Sequence, residues 1–128
     1  MIVLDTQAIV WWLQGSRRLS RPAARAIQRE DAVAIPDICF WEIGQLVIRE
    51  RIRFTVPVAT VLETLMAEPG VFLQPITPAI GVRASGLALN GPMDPGDQIV
   101  AATALEMGIP LVTSDIRLQA FPSLQTIW

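Results

Sequence analysis

The chain has 128 residues, 52% of them hydrophobic and 17% charged, with a mean hydropathy of +0.44. A chain of this length and apolarity buries a core without disulfides or a structural metal, and it is not a disordered tail. It contains no His, no Lys and no Tyr; all ten basic residues are Arg, and Cys39 is the only cysteine. Those absences exclude Ser-His-Asp and Cys-His nucleophiles, HExxH zinc sites, Schiff-base chemistry and a Walker-A phosphate loop. Any catalysis falls to carboxylates, guanidinium groups, hydroxyls and one thiol, and most plausibly to carboxylates with a hard cation. A net charge of -2 and a pI near 5.0 give no bulk attraction to nucleic acid. The arginines are unevenly placed, however, with Arg17, Arg18, Arg21, Arg25 and Arg29 in one stretch and Arg49, Arg51 and Arg53 in another. Such stretches either present a positive face to phosphates or form solvated helix surface. Asp5 interrupts the N-terminal apolar run, and no run approaches the ~18 residues of a membrane span, so a soluble cytoplasmic protein is expected.

In chain order, Met1 to Leu4 reads as a buried strand ended by Asp5, and Thr6 to Leu13 as a short helix stopped near Gly15. Ser20-Arg21-Pro22 supplies an N-cap and an early proline for a helix to about Arg29. Val33 to Ile35 is a strand, after which Pro36-Asp37 caps a long helix reaching about Arg51. Pro57 to Ala67 is helical, Val71 to Leu73 strand-like, and Pro78 to Leu89 helical. Asn90 to Gly96 is a turn-rich loop; Pro95 opens a strongly apolar helix stopped by Gly108. Leu111 to Thr113 and Thr126 to Trp128 complete the strands. Short apolar strands alternating with helices predict an α/β fold, a parallel sheet flanked by helices on both faces, in one domain over residues 1–128. In such sheets ligands gather at the carboxyl ends of the strands.

The acids fall at those ends. Asp5 follows the first strand directly and Asp115 follows Leu111–Thr113 by one residue. Taken singly, each is better explained as a cap for the next helix. Glu42 has Ile38, Cys39, Ile43 and Leu46 at helical spacing around it. Either it reaches solvent from the flank, or it sits in the core edge where ionisation demands a cation. Asp94 is a natural N-cap with Pro95 at N1, and Asp97 falls at N3, where a carboxylate also meets the positive helix end. Because the helix that follows is buried, Asp97 stands at the rim of a cleft and is the better ligand candidate. Asp5, Glu42, Asp97 and Asp115 brought together repel by ~1 kcal/mol per pair at 4 Å even in water, so they take up protons or bind a cation. With only oxygen ligands, that cation is Mg²⁺ or Mn²⁺ rather than zinc.

The segments Asp5-Thr6, Trp41-Glu42-Ile43, Asp94-Pro95-Gly96-Asp97 and Leu111-Val112-Thr113-Ser114-Asp115, in this order and spacing, resemble the PIN domain family. Within it, the compact length, the Asp-Thr-x-Ala-x-x-Trp-Trp start and Trp128 resemble the VapC-type toxins of bacterial toxin–antitoxin pairs. The resemblance implies a Rossmann-like sheet and a Mg²⁺-dependent endoribonuclease cutting RNA, with Mn²⁺ as an alternative ion. By position, Asp5, Glu42, Asp97 and Asp115 match the family's acidic quartet, with Asp5 and Asp97 as direct metal ligands. Thr113 matches a hydroxyl position behind the ligands, and Asp94 stands beside it as the cap of the ligand helix. The resemblance also implies a homodimer and silencing by a VapB-type antitoxin. Gln7, Gly96 and Gln98 depart from the common pattern of His, Phe and Arg at those places, which bears on phosphate contact and RNA choice rather than on metal binding.

The expected chemistry is in-line attack of a metal-bound water, with Glu42 or Asp115 orienting it, leaving a 5′-phosphate and a 3′-hydroxyl. A haloacid-dehalogenase-type phosphatase fails because Gln7 replaces the second Asp and Lys is absent; a receiver domain fails on the same missing Lys. The alternative from another class is a non-catalytic PIN-like module that binds RNA or protein. It has no use for four unpaired carboxylates.

Overall fold

A computed structural model describes residues 1–87 and 94–128. The expected helix end at Leu89 and most of the Asn90–Gly96 loop lie outside the described residues. Five strands, β1 (Ile2–Leu4), β2 (Val33–Pro36), β3 (Val71–Gln74), β4 (Leu111–Val112) and β5 (Thr126–Ile127), form one sheet. Its order is β3-β2-β1-β4-β5 and every neighbouring pair is parallel. Successive residues of a strand face opposite sides, yet Ile2, Val3 and Leu4 are all buried, so the centre of the sheet is covered on both faces. The covering helices are α1 (Thr6–Leu13), α2 (Arg21–Arg29), α3 (Ile38–Ile48), α4 (Val58–Ala67), α5 (Pro78–Leu87), α6 (Pro95–Met107) and the short α7 (Ile116–Gln119). Among the described residues no helix is long and apolar enough to cross a membrane.

Chain order runs outward from β1 to β3, then returns past the centre to β4 and β5. The reversal lies between β1 and β4, where loops diverge and leave a crevice at the strands' carboxyl ends. There Leu4 pairs with Val112, and the Asp5 N–H donates to the Val112 carbonyl at 3.2 Å. Asp5 and Thr113 are thereby neighbours across the two strands.

Most element boundaries agree with expectation to one or two residues. Two differences have a physical cause. Asp37 does not cap α3: its backbone is already helical (φ −60°, ψ −31°), and its Oδ2 instead accepts the Ile76 N–H at 3.1 Å, tying β2 to the segment after β3. α3 also ends at Ile48 rather than near Arg51. Glu50 turns left-handed (φ 56°), and the Arg51 and Glu50 N–H groups donate back to Leu46 and Val47 at 2.9 and 3.0 Å. This pair of bonds satisfies the orphan carbonyls of a helix end and reverses the chain. α6 ends similarly at Gly108 (φ 66°), a conformation that favours glycine.

Candidate active site

Four separate chain segments deliver the acids to the crevice. Asp5 is the N-cap of α1: its Oδ1 accepts the Ala8 N–H at 2.7 Å, which fixes the carboxylate at the end of β1. Asp115 is the N-cap of α7, accepting the Arg117 N–H at 2.8 Å, while its own N–H donates to Thr113 Oγ1 at 3.1 Å. Asp94 caps α6 by accepting the Asp97 N–H at 2.9 Å, with Pro95 at the first helical position, so Asp97 lies one turn into the helix as expected. Capping does not keep an aspartate out of the crevice: Asp5 and Asp115 each cap a helix and face the same cavity.

Glu42 comes from the middle of α3. It is half-buried, and its Oε1 accepts the Thr6 hydroxyl at 2.8 Å. Its carboxylate lies against the first turn of α6, so closely that a Cβ at Gly96 would stand 2.5 Å from Oε2. Any side chain there would displace it. Asp5, Glu42, Asp97 and Asp115 all line one cavity of about 490 Å³. Trp41, Gln45, Arg49 and Ser114 line it too. Asp94 is outside this lining but close enough to act on Asp97 and Glu42 by its charge. Thr113 is fully buried and hydrogen-bonds the Asp5 carboxyl.

Burial pushes the Asp5 carboxyl up to about 6, against the hydrogen bonds from Thr113 and Ala8 and aided by the charges of Asp115 and Glu42. Asp97 is pushed to about 7, first by burial and then by Asp94 and Asp115, with Arg117 opposing. Glu42 is raised by burial, partly offset by the Thr6 hydroxyl. Asp115 goes the other way: hydrogen bonding to Arg117 holds it below its ordinary value. Burial raises the Cys39 thiol strongly, so it carries no thiolate and no nucleophile.

Arg117 is the feature that residue-type reasoning missed. Its guanidinium donates to Asp115 Oδ2 at 2.8 Å and to Asp97 Oδ2 at 3.2 Å, bridging two of the acids from an exposed position. The available signal was its place two residues after the capping Asp115, which returns the side chain toward the cap. Among the described residues no group of three acidic or thiol side chains is drawn in tightly enough to hold an ion alone. The donor set nevertheless fits a hard divalent ion: carboxylates, hydroxyls and amide oxygens line the cavity, and two of the carboxyls, Asp5 and Asp97, are held at elevated proton affinity by burial first and by neighbouring carboxylates second. An incomplete protein cage suits a hard divalent ion that keeps several of its waters.

A parallel doubly wound sheet with acids gathered at its switch point defines the class: an α/β protein with an acidic crevice at the strands' carboxyl ends. The sequence model of the PIN domain matches residues 2–124, and the chain belongs to that family. It is 36% identical to Ribonuclease VapC22 of Mycobacterium tuberculosis over 99% of this chain and 98% of that protein. Its fold is similar to VapBC2 from Rickettsia felis bound to a promoter DNA fragment (TM-score 0.73, 16% identity, covering 98% and 97% of the two chains). It is also similar to VapC20 of Mycobacterium tuberculosis, a sarcin–ricin-loop-cleaving toxin (TM-score 0.69, 14% identity, covering 98% and 99%).

Proposed function

We propose that this chain is a divalent-metal-dependent endoribonuclease, the toxin of a toxin–antitoxin pair, with residues 1–128 acting as one PIN domain in the cytoplasm. The observation that carries the reading is the meeting of Asp5, Glu42, Asp97 and Asp115 in one oxygen-lined cavity at the switch point of the sheet. The 36% identity to a protein named as a ribonuclease supports the reaction, and the likeness to toxin–antitoxin complexes supports an antitoxin of the VapB type as partner. A homodimer belongs to the same proposal, on the family resemblance of the sequence.

Asp5 and Asp97 would hold the ion, Mg²⁺ first and Mn²⁺ as a substitute. Such an ion supplies a water of lowered pKa and charge neutralisation at a phosphate oxygen. The chain's own groups do the rest. Glu42 has raised proton affinity and is fixed by Thr6 over Gly96, so it accepts the proton of the attacking water. Asp115 is the poorer base, because Arg117 holds its proton affinity down. Thr113 and the Ala8 N–H keep Asp5 aimed, and Asp94 keeps α6 in register behind Asp97. Arg117 is exposed and already bonded to two acids of the cavity, from where its guanidinium meets a phosphate oxygen. With water as nucleophile the products carry a 5′-phosphate and a 3′-hydroxyl.

The test is cleavage of a structured RNA by purified protein. The expected result is cutting with Mg²⁺ or Mn²⁺, arrest by EDTA, and recovery on adding back the ion, with 5′-phosphate ends on sequencing. Cleavage that continues unaltered in EDTA ends the metal reading, and no cleavage with either ion favours a binding module.

A further inference from the structure

We infer that a second cavity, beside the acidic one, is the track for the phosphate backbone of single-stranded RNA. This rests on reading the acidic cavity as the site of RNA cleavage. The second cavity also measures about 490 Å³. One wall is the part-buried flank of α1, with Gln7 and Trp11, and Gln14 just after it; the other is the turn after α3, with Arg51 and Arg53; Arg18 closes the end. Gln7 and Leu46 line both cavities, so the two adjoin, and Arg49 stands on the wall of the acidic one.

The basic side is built by the backbone. Glu50 in its left-handed conformation reverses the chain after α3, and Gln14 Nε2 donates to the Arg53 carbonyl at 3.4 Å, fastening the reversed segment to α1. Gly15 (φ 58°) reverses the chain after α1 and brings Arg18 to the same place. Residues far apart in sequence thus converge as three exposed guanidinium groups. Among the described residues no carboxylate lines this cavity, and the cations in ion pairs are only the N-terminus, Arg83 and Arg117. Three unpaired like charges held side by side repel, and an anionic polymer relieves that repulsion. The net charge of -2 gives no general attraction, so a local track is what holds a polyanion at the cutting site. A nuclease substrate continues past its scissile bond, and this basic cavity is where the next phosphates fall. The α2 arginines, Arg21, Arg25 and Arg29, line neither cavity; α2 packs toward β5 instead.

The test is fluorescence anisotropy of a labelled 16-nucleotide single-stranded RNA of mixed sequence, in EDTA so that nothing is cut, over a salt series. The triple variant Arg18→Ala/Arg51→Ala/Arg53→Ala is compared with Arg21→Ala/Arg25→Ala/Arg29→Ala, which removes the same charge elsewhere. The expected result is at least tenfold weaker binding for the first and less than threefold for the second. The log–log salt slope falls by about 2, since each single-strand phosphate contact contributes ~0.7. Single Arg18→Gln and Arg53→Gln variants, each with a partial loss, stand in if the triple variant does not fold, and Arg→Lys at all three positions retains the slope. Equal losses in both triples overturn the inference, as does wild-type RNA binding by the groove triple, including the case where it loses binding to an antitoxin instead. A cleavage arm with Mn²⁺ separates the two readings. Wild-type protein that binds through the groove without cutting removes the ribonuclease reading and leaves the groove. Wild-type protein that cuts, with a groove triple that binds and cuts equally well, removes the groove alone.

Discussion

Replacing Gly96 by Ala tests the site through a single methyl group. The added Cβ stands 2.5 Å from Glu42 Oε2, 2.7 Å from Cδ and 2.9 Å from Oε1, where ordinary contact begins at 3.4 Å. The carboxylate therefore retreats by about 0.9 Å, and because it is the end of a flexible side chain it moves without the backbone. That displacement breaks or bends its 2.8 Å hydrogen bond from Thr6. A misplacement of this size costs on the order of 10²-fold in rate, about 2.7 kcal/mol of transition-state stabilisation. Stability moves the other way. Gly96 lies in the first turn of α6 without a left-handed φ, so once the carboxylate has moved the backbone accepts Ala and gains up to roughly 0.4–1 kcal/mol by reducing unfolded-state freedom. The expected phenotype is a protein that melts no lower than wild type and cleaves about a hundred times more slowly. Single-turnover cleavage of a fluorophore–quencher RNA at saturating Mg²⁺ measures the first, and a thermal scan the second. Adding Gly96→Ala to Glu42→Ala produces no further loss, because the methyl acts only through that carboxylate. A Gly96→Ala protein with wild-type rate and unchanged melting refutes the placement of Glu42 as the proton acceptor.

Asp5→Asn keeps an Oδ1 acceptor for the Ala8 N–H but removes a buried charge, so cleavage falls at least 10²-fold while the melting temperature at pH 8 rises. Asp5 and Asp97 protonate near 6 and 7 in the fold against 3.8 when free, so the native state holds more protons than the unfolded one between about pH 4 and 7. Metal-free stability therefore falls as pH rises through that window, by on the order of 3 kcal/mol for Asp5 alone. Millimolar Mg²⁺ offsets the loss, and a shift in melting temperature that is the same with and without Asp5→Asn contradicts the assignment. Thr6→Val removes the hydroxyl that lowers the proton affinity of Glu42, so the acidic limb of the pH–rate profile moves upward and kcat drops roughly tenfold, read from cleavage rates between pH 5 and 9.

The parallel fold was legible because its signals are local. Apolar triplets such as Ile2-Val3-Leu4 have no polar face and must be covered on both sides; Asp94-Pro95 and Ser20-Arg21-Pro22 are helix starts whose capping bonds span three residues. Asp37 misled because its sequence context is also that of a cap, while its actual partner, Ile76, lies 39 residues away. The end of α3 misled because it depends on Glu50 adopting a left-handed conformation that residue type alone disfavours.

The order of residues alone determined which chemistry was possible: with no His, Lys or Tyr, carboxylates and one thiol were the acids and bases left, and two of the carboxylates, Asp5 and Asp115, followed strands and so were aimed at one sheet edge. Tertiary structure alone decided what each carboxylate became, because proton affinity depends on burial and on neighbours brought in from elsewhere in the chain. Asp97 and Asp115 are the same residue type, yet one is raised by burial beside Asp94 and the other lowered by Arg117. The same holds for the guanidinium groups: Arg18 and Arg53 share a cavity because two left-handed turns fold their segments onto α1, a distance relation that no local pattern encodes.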